Sequence, residues 1–359
     1  MRTTLEAVRP IELAEIREAR TRIASTIVRT PLVHLEMGPD YPDIRLKLEN
    51  LQPINAYKLR GAANAVAMLP ESERKRGVWT ISAGNAGQGV AYAARQAGVP
   101  CTVVVIKTAP ESKINRMRAL GAKLIPVPYD IAWKALEERS YPGAEGTFVH
   151  PFDDHNFIAG HGTMGLEILE DAPDTAAVIA SIGGGGLITG VGSAIKALNP
   201  EIKVWGVEPE TAAPAALSFE KGSPQVFKDF KQSFVDGAGG QSMFPRMWER
   251  MNFEKGSPQV FKDFKQSFVD GAGGQSMFSR MWERMKPVVD DYIVVTLDET
   301  KKAMRLMAEK ARVISEGAGA LPVAAALTGK AGKGPIVAIV SGGNIDMKKF
   351  CELIGASAT

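Results

Sequence analysis

Cysteine is nearly absent from this sequence. Cys101 and Cys351 stand far apart, too few and too distant for a disulfide framework or a cysteine-rich zinc site. A reducing cytoplasm suits such a chain. An excess of one charge sign is missing as well: 43 basic residues face 40 acidic ones, a net +3, with the signs interspersed as in ESERKR and EIREARTR. That leaves no one-signed stripe for nucleic acid or an anionic membrane. The stretch MRTTLEAVRPIELAEIREAR carries charge throughout and lacks the apolar core of a signal peptide, so none is expected. The uncharged run Thr175–Ile195 covers 21 residues, but six are glycine, four of them consecutive. Such a run suits a strand, a loop and a helix start better than a lipid-facing span. The expectation is a protein with no membrane and no nucleic-acid partner.

What is present is ordinary globular composition, 45% apolar and 23% charged over 359 residues, enough for two packed units. From about residue 77 short apolar runs alternate with helical stretches. Strands are expected at Val78–Ile81, Cys101–Ile106 and Lys123–Pro126, with helices at Gln88–Gln96 and Glu111–Leu120. A second series follows, with strands at Ala177–Ile182, Val204–Val207 and Ile336–Val340 and a helix at Ile188–Leu198. Strands separated by helices of about ten residues signal βαβ units and parallel sheets. The expected class is α/β, with a small unit at residues 77–149 and a larger one built from residues 1–76 and 150–359. Each would be a mostly parallel twisted sheet flanked by helices.

The sequence also carries a tandem duplication. Phe219–Asn252 and Phe253–Lys286 agree at 32 of 34 positions, differing only at Pro245/Ser279 and Asn252/Lys286. Two copies are too few for a solenoid, and near-identity argues against old divergence. One copy is expected to take the native path and the other to bulge at the surface.

Four stretches could carry chemistry. In NAYKLRGA, Lys58 stands just ahead of a run of helix formers, either as a solvated first-turn residue or as a buried amine that needs a partner. In SIGGGGLITG, Gly183, Gly184, Gly185 and Gly186 follow an apolar strand and open a helix. Unobstructed N–H groups and the positive end of a helix suit a phosphate there, although a tight turn also explains glycine. The spacing is not G-x-G-x-x-G, since Ile188 and Thr189 stand where glycine is required, and no Walker lysine follows. TISAGNAGQG repeats the strand–loop–helix pattern, with Ser82 and nearby N–H groups placed for a carboxylate and Asn85 at the tip; a plain helix cap is the alternative. VSGGNID ends a strand at Ser341, at the edge where open α/β sheets place ligands.

Together, in this order, these stretches resemble the pyridoxal-phosphate enzymes of the tryptophan-synthase-β fold type (fold type II), and within it the serine/threonine dehydratase and serine racemase branch. LENLQPINAYKLRGA, HPFDD at 150–154, GVEP at 206–209 and SEGAGA at 315–320 add to the likeness, which spans nearly the whole chain. The resemblance implies that Lys58 carries pyridoxal 5'-phosphate as a Schiff base. Gly183 to Gly186 with Leu187 would hold its phosphate, Asn85 would bond the ring hydroxyl, Tyr57 would lie near the pyridine ring and Ser341 would face the ring nitrogen. A hydroxyl there makes a shallower electron sink than a carboxylate, which favours prompt loss of a β-substituent. Ser82, Ala83, Gly84, Asn85, Ala86 and Gln88 would bind the amino acid substrate. The small unit would hold substrate and the large one cofactor. The implied reaction is elimination of water from a 3-hydroxy amino acid such as L-threonine or L-serine. Lys58 would remove the Cα proton and the cofactor phosphate would assist the departing hydroxide, giving a 2-oxo acid and ammonia. A homodimer is the family expectation.

Several positions depart from the family pattern. Ala83 stands where the racemase has its second serine, so racemisation is not expected. Ala86 replaces a common histidine, and Asn55-Ala56 replaces a Gly-Ser pair, which leaves open a bulkier 3-hydroxy substrate of the phenylserine or 3-hydroxyaspartate type. Glu208 matches a cation ligand of some relatives, but Pro214 occupies the place of their second carboxylate, so no metal is expected. The DGAGG loop that lines the cofactor in relatives occurs twice, at Gly237 and Gly271. No appended regulatory domain is expected. A β-replacement synthase and a catalytically impaired cofactor-binding relative are the remaining alternatives.

Overall fold

The computed structural model describes residues 7–109, 111–228 and 277–355. The first half of the chain forms α1 (Leu13–Ile23), β1 (Leu32–His34), β2 (Ile44–Leu48), α2 (Lys58–Ala67), α3 (Glu71–Arg76), β3 (Val78–Ile81), α4 (Asn85–Gln96), β4 (Cys101–Ile106), α5 (Glu111–Ala119), β5 (Lys123–Val127), α6 (Tyr129–Glu138) and β6 (Thr147–Phe148). The second half forms α7 (His155–Asp171), β7 (Ala177–Ser181), α8 (Gly186–Leu198), β8 (Lys203–Pro209), α9 (Pro214–Lys221), α10 (Ser279–Met285), β9 (Asp291–Val295), α11 (Leu297–Leu306), α12 (Gly317–Leu327), β10 (Ile336–Val340) and α13 (Met347–Gly355).

Two sheets organise these elements. The smaller runs β5-β4-β3-β6, parallel throughout, and draws every strand from residues 78–148. The larger runs β1-β2-β10-β7-β8-β9 and is parallel except for β1, which pairs antiparallel with β2. Every residue of β7 and β10 is buried. That continuous apolar character is what a parallel strand covered on both faces requires. Along β10, Ile336, Ala338 and Val340 join the core on one face while Val337 and Ile339 join the core on the other. Each buried Ile or Val contributes roughly 1.5–3 kcal/mol.

Two expectations shift. The helix expected from Gln88 begins at Asn85, because Gly84 takes the N-cap position, so Asn85 to Gln88 form its first turn and not a loop. The helix expected from Ile188 begins at Gly186. Thr175–Ile195 is a strand, a loop and most of a helix, and among the described residues no helix is long and apolar enough to cross a membrane.

Helix α2 is wedged between α4 on one side and α7 on the other. Close approach to α7 depends on Gly61, where an added Cβ would lie 2.7 Å from the carbonyl oxygen of Phe157. Below that contact sits a fully buried ion cluster. Arg60 clasps Glu49 through Nε and Nη2, both at 2.8 Å, and Glu167 through Nη1 at 2.7 Å and Nη2 at 2.8 Å. Lys47, also buried, reaches Glu167 at 2.7 Å and the Thr30 carbonyl at 2.7 Å. Burial works to raise the Glu49 carboxyl pKa, but the charge and hydrogen bonds of Arg60 outweigh it and hold the group below the usual range. Two cations matched to two carboxylates fix where α2 begins, and Lys58 is its first residue.

Candidate active site

Four segments meet at the start of α2. The Tyr57 N–H donates to the Ser341 carbonyl at 3.0 Å, and Ala56 forms a β-bridge with Gly342, so NAYK lies along the end of β10. Gly89, on α4, sits against the Lys58 carbonyl: an added Cβ would be 3.2 Å from that oxygen. The Lys58 Nζ donates to the Pro151 carbonyl at 2.7 Å and lies 5.1 Å from the Tyr57 ring centre and 5.4 Å from that of Phe157. The next residue, Phe152, lays its ring in the space a Cβ on Gly184 would need.

Lys58 is partly exposed at its residue surface while its amine is surrounded by protein. Desolvation pushes its pKa down to about 7. Burial, with a smaller effect from the Glu316 carboxylate, raises the Tyr57 phenol, which stays protonated.

The glycine loop is built to receive an anion. Gly185 caps α8 at φ 84, in the left-handed region that glycine tolerates, with no side-chain cap. The N–H groups of Gly183 to Ile188 find no acceptor among the described residues, and they converge at a helix start. A phosphate ester fits there.

Across from it, the Asn85 amide donates to Glu316 Oε1 at 2.8 Å and accepts from Asn344 at 2.8 Å. An amide nitrogen has two hydrogens, so a second donor remains for a ligand hydroxyl. Asn344 is itself held by Arg116 and by the Ile54 carbonyl. The Ser82 hydroxyl accepts the Gly84 N–H at 3.1 Å. Ser82, Ala83 and Gly84 are partly exposed, and Ala86 is buried. Gln88 is fully buried, and neither end of its amide has a partner among the described residues. Ser341 is buried at the end of β10.

Glu208 lies elsewhere, at the end of β8. Its two oxygens accept the N–H groups of Ala215 at 3.1 Å and Ala216 at 2.8 Å, so it caps α9, whose first residue is Pro214. Burial raises its carboxyl to about 8 against those two bonds. Among the described residues no cluster of His, Cys, Asp and Glu could hold a metal. Gly237, Gly271 and most of the duplication lie outside the described residues.

Three residues escaped sequence reasoning. Glu316, buried at the N-cap of α12, orients Asn85 and touches Gly342; its place directly before GAGALPVAAAL was an available capping signal. His150 accepts two backbone N–H groups through Nδ1 and so carries its proton on Nε2. His161 is fully buried between the rings of Tyr57, at 4.7 Å, and Phe157, at 5.0 Å, and burial keeps it neutral. His150 opens the HPFDD stretch, but its hydrogen bonds were not foreseen, and no pattern in the sequence marked His161.

A family model described as pyridoxal-phosphate dependent enzyme matches residues 23–257 and 251–342, well over half the chain. This chain belongs to that family. Among curated proteins, an L-threonine ammonia-lyase of Thermotoga maritima is 39% identical over 350 residues, covering 96% of this chain and 78% of that one. The catabolic L-threonine dehydratase TdcB of Staphylococcus aureus is 34% identical over 360 residues, covering 98% and 94%. Among solved structures, the serine racemase of Dictyostelium discoideum matches with a TM-score of 0.75 at 30% identity, covering 94% of this chain and 99% of that one. Pyridoxal phosphate fits the geometry, with a desolvated amine at Lys58 for its aldehyde and a row of free N–H groups at Gly183–Ile188 for its phosphate.

Proposed function

We propose that the chain is a pyridoxal-phosphate-dependent ammonia-lyase that removes water from L-threonine and L-serine, the released enamine then taking up water to give a 2-oxo acid and ammonia. The observation that carries this reading is Lys58, a lysine at a helix start whose amine is desolvated to a pKa near 7. The threonine ammonia-lyase and dehydratase names of the most similar curated proteins support it.

Pyridoxal phosphate supplies the electron sink. The residues of this chain do the rest. Lys58 would anchor the cofactor and, as a free amine, would take the Cα proton. The N–H groups of Gly183 to Leu187 would hold the phosphate. Asn85, oriented by Glu316, would offer its remaining N–H to the ring hydroxyl, and Tyr57 would lie near the ring. Ser341 would give the ring nitrogen a neutral partner, which would favour expulsion of the β-hydroxyl over prolonged charge at Cα. Ser82 and the backbone through Ala83, Gly84 and Ala86 receive the substrate carboxylate, and the unpartnered Gln88 amide completes its hydrogen bonds. We assign residues 77–149 to a substrate domain and the flanking segments to a cofactor domain. We place the protein in the cytoplasm as a homodimer; two free thiols, Cys101 and Cys351, support the compartment.

The test is release of 2-oxo acid from L-threonine, L-serine, phenylserine and 3-hydroxyaspartate in both β configurations. Threonine and serine are expected to lead; turnover confined to the bulkier pair would replace the substrate assignment. Elimination should dominate because Ala83 offers no acid on the face opposite Lys58. In Ala83→Ser, D-serine should become detectable by chiral chromatography, and D-serine from the unmodified enzyme at a rate rivalling elimination would contradict that account.

A further inference from the structure

The turn His150–Asp154 reaches Lys58, the glycine loop and the start of α7, while the Asp153 carboxylate within it bonds to arginines. His150 Nδ1 accepts the N–H groups of Phe152 at 3.3 Å and Asp153 at 3.0 Å, which fixes the direction of the Pro151 carbonyl toward Lys58. Phe152 rests on Gly184, and Asp154 caps α7 by accepting the Phe157 N–H at 2.8 Å. Asp153 itself is buried among three guanidinium groups. Arg139 bonds its carbonyl at 2.9 Å and its Oδ2 at 2.5 Å, Arg280 reaches Oδ2 at 2.9 Å, and Arg284 reaches Oδ1 at 3.2 Å.

Arg280 and Arg284 lie one helical turn apart on α10, so they face the same way. The helix also backs the glycine loop, because Met285 fills the space a Cβ on Gly185 would need. Helix α10 belongs to the second copy of the duplication, whereas Phe219, which packs its ring on Trp282 at 4.3 Å, belongs to the first. The described packing therefore joins the opening residues of copy one to the closing residues of copy two, and it is the second copy that reaches the glycine loop and Asp153. The sequence equivalents of the two arginines, Arg246 and Arg250, lie outside the described residues.

We propose that Asp153 is a positioning residue for Lys58, and that the arginines holding it from α10 are those of the second copy, Arg280 and Arg284. Asp153, clamped from two elements, sets the turn, and the turn aims the Pro151 carbonyl at the Lys58 amine and the Phe152 ring at the phosphate loop. The inference rests on the role given to Lys58 above.

The experiment compares Arg280→Met/Arg284→Met, Arg246→Met/Arg250→Met and Asp153→Asn in the full-length holoenzyme. Readouts are the Kd for pyridoxal phosphate, the pH midpoint of its visible absorbance band, and kcat and KM separately. The second-copy pair and Asp153→Asn should weaken cofactor binding about tenfold to a hundredfold and move the pH midpoint, since small displacements of a reacting group cost that much. Arg280→Lys/Arg284→Lys should restore part of the loss. The first-copy pair should stay within about twofold of the unmodified enzyme. Equal effects from the two pairs, or a loss confined to the first-copy pair, would overturn the assignment to copy two. An unmoved pH midpoint in Asp153→Asn would overturn the positioning role, and if the second-copy pair fails to fold, that isosteric variant still decides. Borohydride fixing followed by peptide mass separates the two readings. Cofactor fixed away from Lys58 removes the role of Lys58, whereas cofactor fixed there with all variants alike removes only this proposal.

Discussion

Lys58→Ala should fold normally and lose turnover by about 10⁴-fold, the upper end of the range for removing a general base, because the same substitution also removes the cofactor's anchor. Release of 2-oxo acid measures the turnover, and circular dichroism with a thermal melt checks the fold. The size of the loss follows from the amine's environment. A lysine at its ordinary pKa of 10.5 is unprotonated in about 1 molecule in 3,000 at neutral pH. At a pKa of about 7, set by desolvation, roughly half are ready to accept a proton. The same burial has a thermodynamic sign. In protein stripped of cofactor, the folded state binds fewer protons at Lys58 than the unfolded state between pH 7 and 10.5, so stability rises with pH across that window. The alanine variant lacks this dependence. It should therefore be more stable than the stripped parent at pH 7, and the advantage should shrink toward pH 10.5. Near-normal turnover in Lys58→Ala would end the catalytic assignment.

Arg60→Met should be the most destabilising single change. Removing one member of a buried ion cluster costs about 3–5 kcal/mol, because the partners remain buried without compensation. Here both Glu49 and Glu167 would be left against Lys47 alone. Without Arg60 the buried Glu49 carboxyl should titrate above its unfolded value, since burial raises it and Arg60 is what holds it down. The folded variant would then bind more protons than the unfolded chain above about pH 4.5, and its stability should fall as pH rises. Denaturant melts should show a larger deficit at pH 8 than at pH 5. A deficit independent of pH would mean that packing, not charge, sets the cost. Replacing Glu49, Arg60 and Glu167 together by apolar residues should recover much of the loss.

The parallel strands were legible because β3, β4, β7 and β10 are short Val- and Ile-rich runs bounded by glycine and proline. Strand β2 was not: IRLKL reads as an amphipathic surface strand, and Lys47 is buried because its amine meets the distant Glu167 and the Thr30 carbonyl. Strand β9 follows the duplication, where the βα rhythm is lost. At the site, Lys58 and the glycine loop could be found from local sequence because their chemistry depends on local residues. Glu316, His161 and the Asp153 clamp could not, since each acquires its role from a partner more than a hundred residues away in sequence. Asn85 was found, but its first-turn position and its bond to Glu316 required the fold.

The place of β10 in the larger sheet has a consequence for biosynthesis. It lies between β2 and β7, pairing residue for residue from Ile336 with Ile44 through Val340 with Leu48, so the strands on its two sides share no direct ladder without it. As the nascent chain leaves the ribosome, the sheet drawn from residues 78–148 can close early. The sheet that carries Ser341 stays in two halves until nearly all of the chain has emerged, although Lys58 and the residues around its amine, Pro151 and Phe157, are made long before.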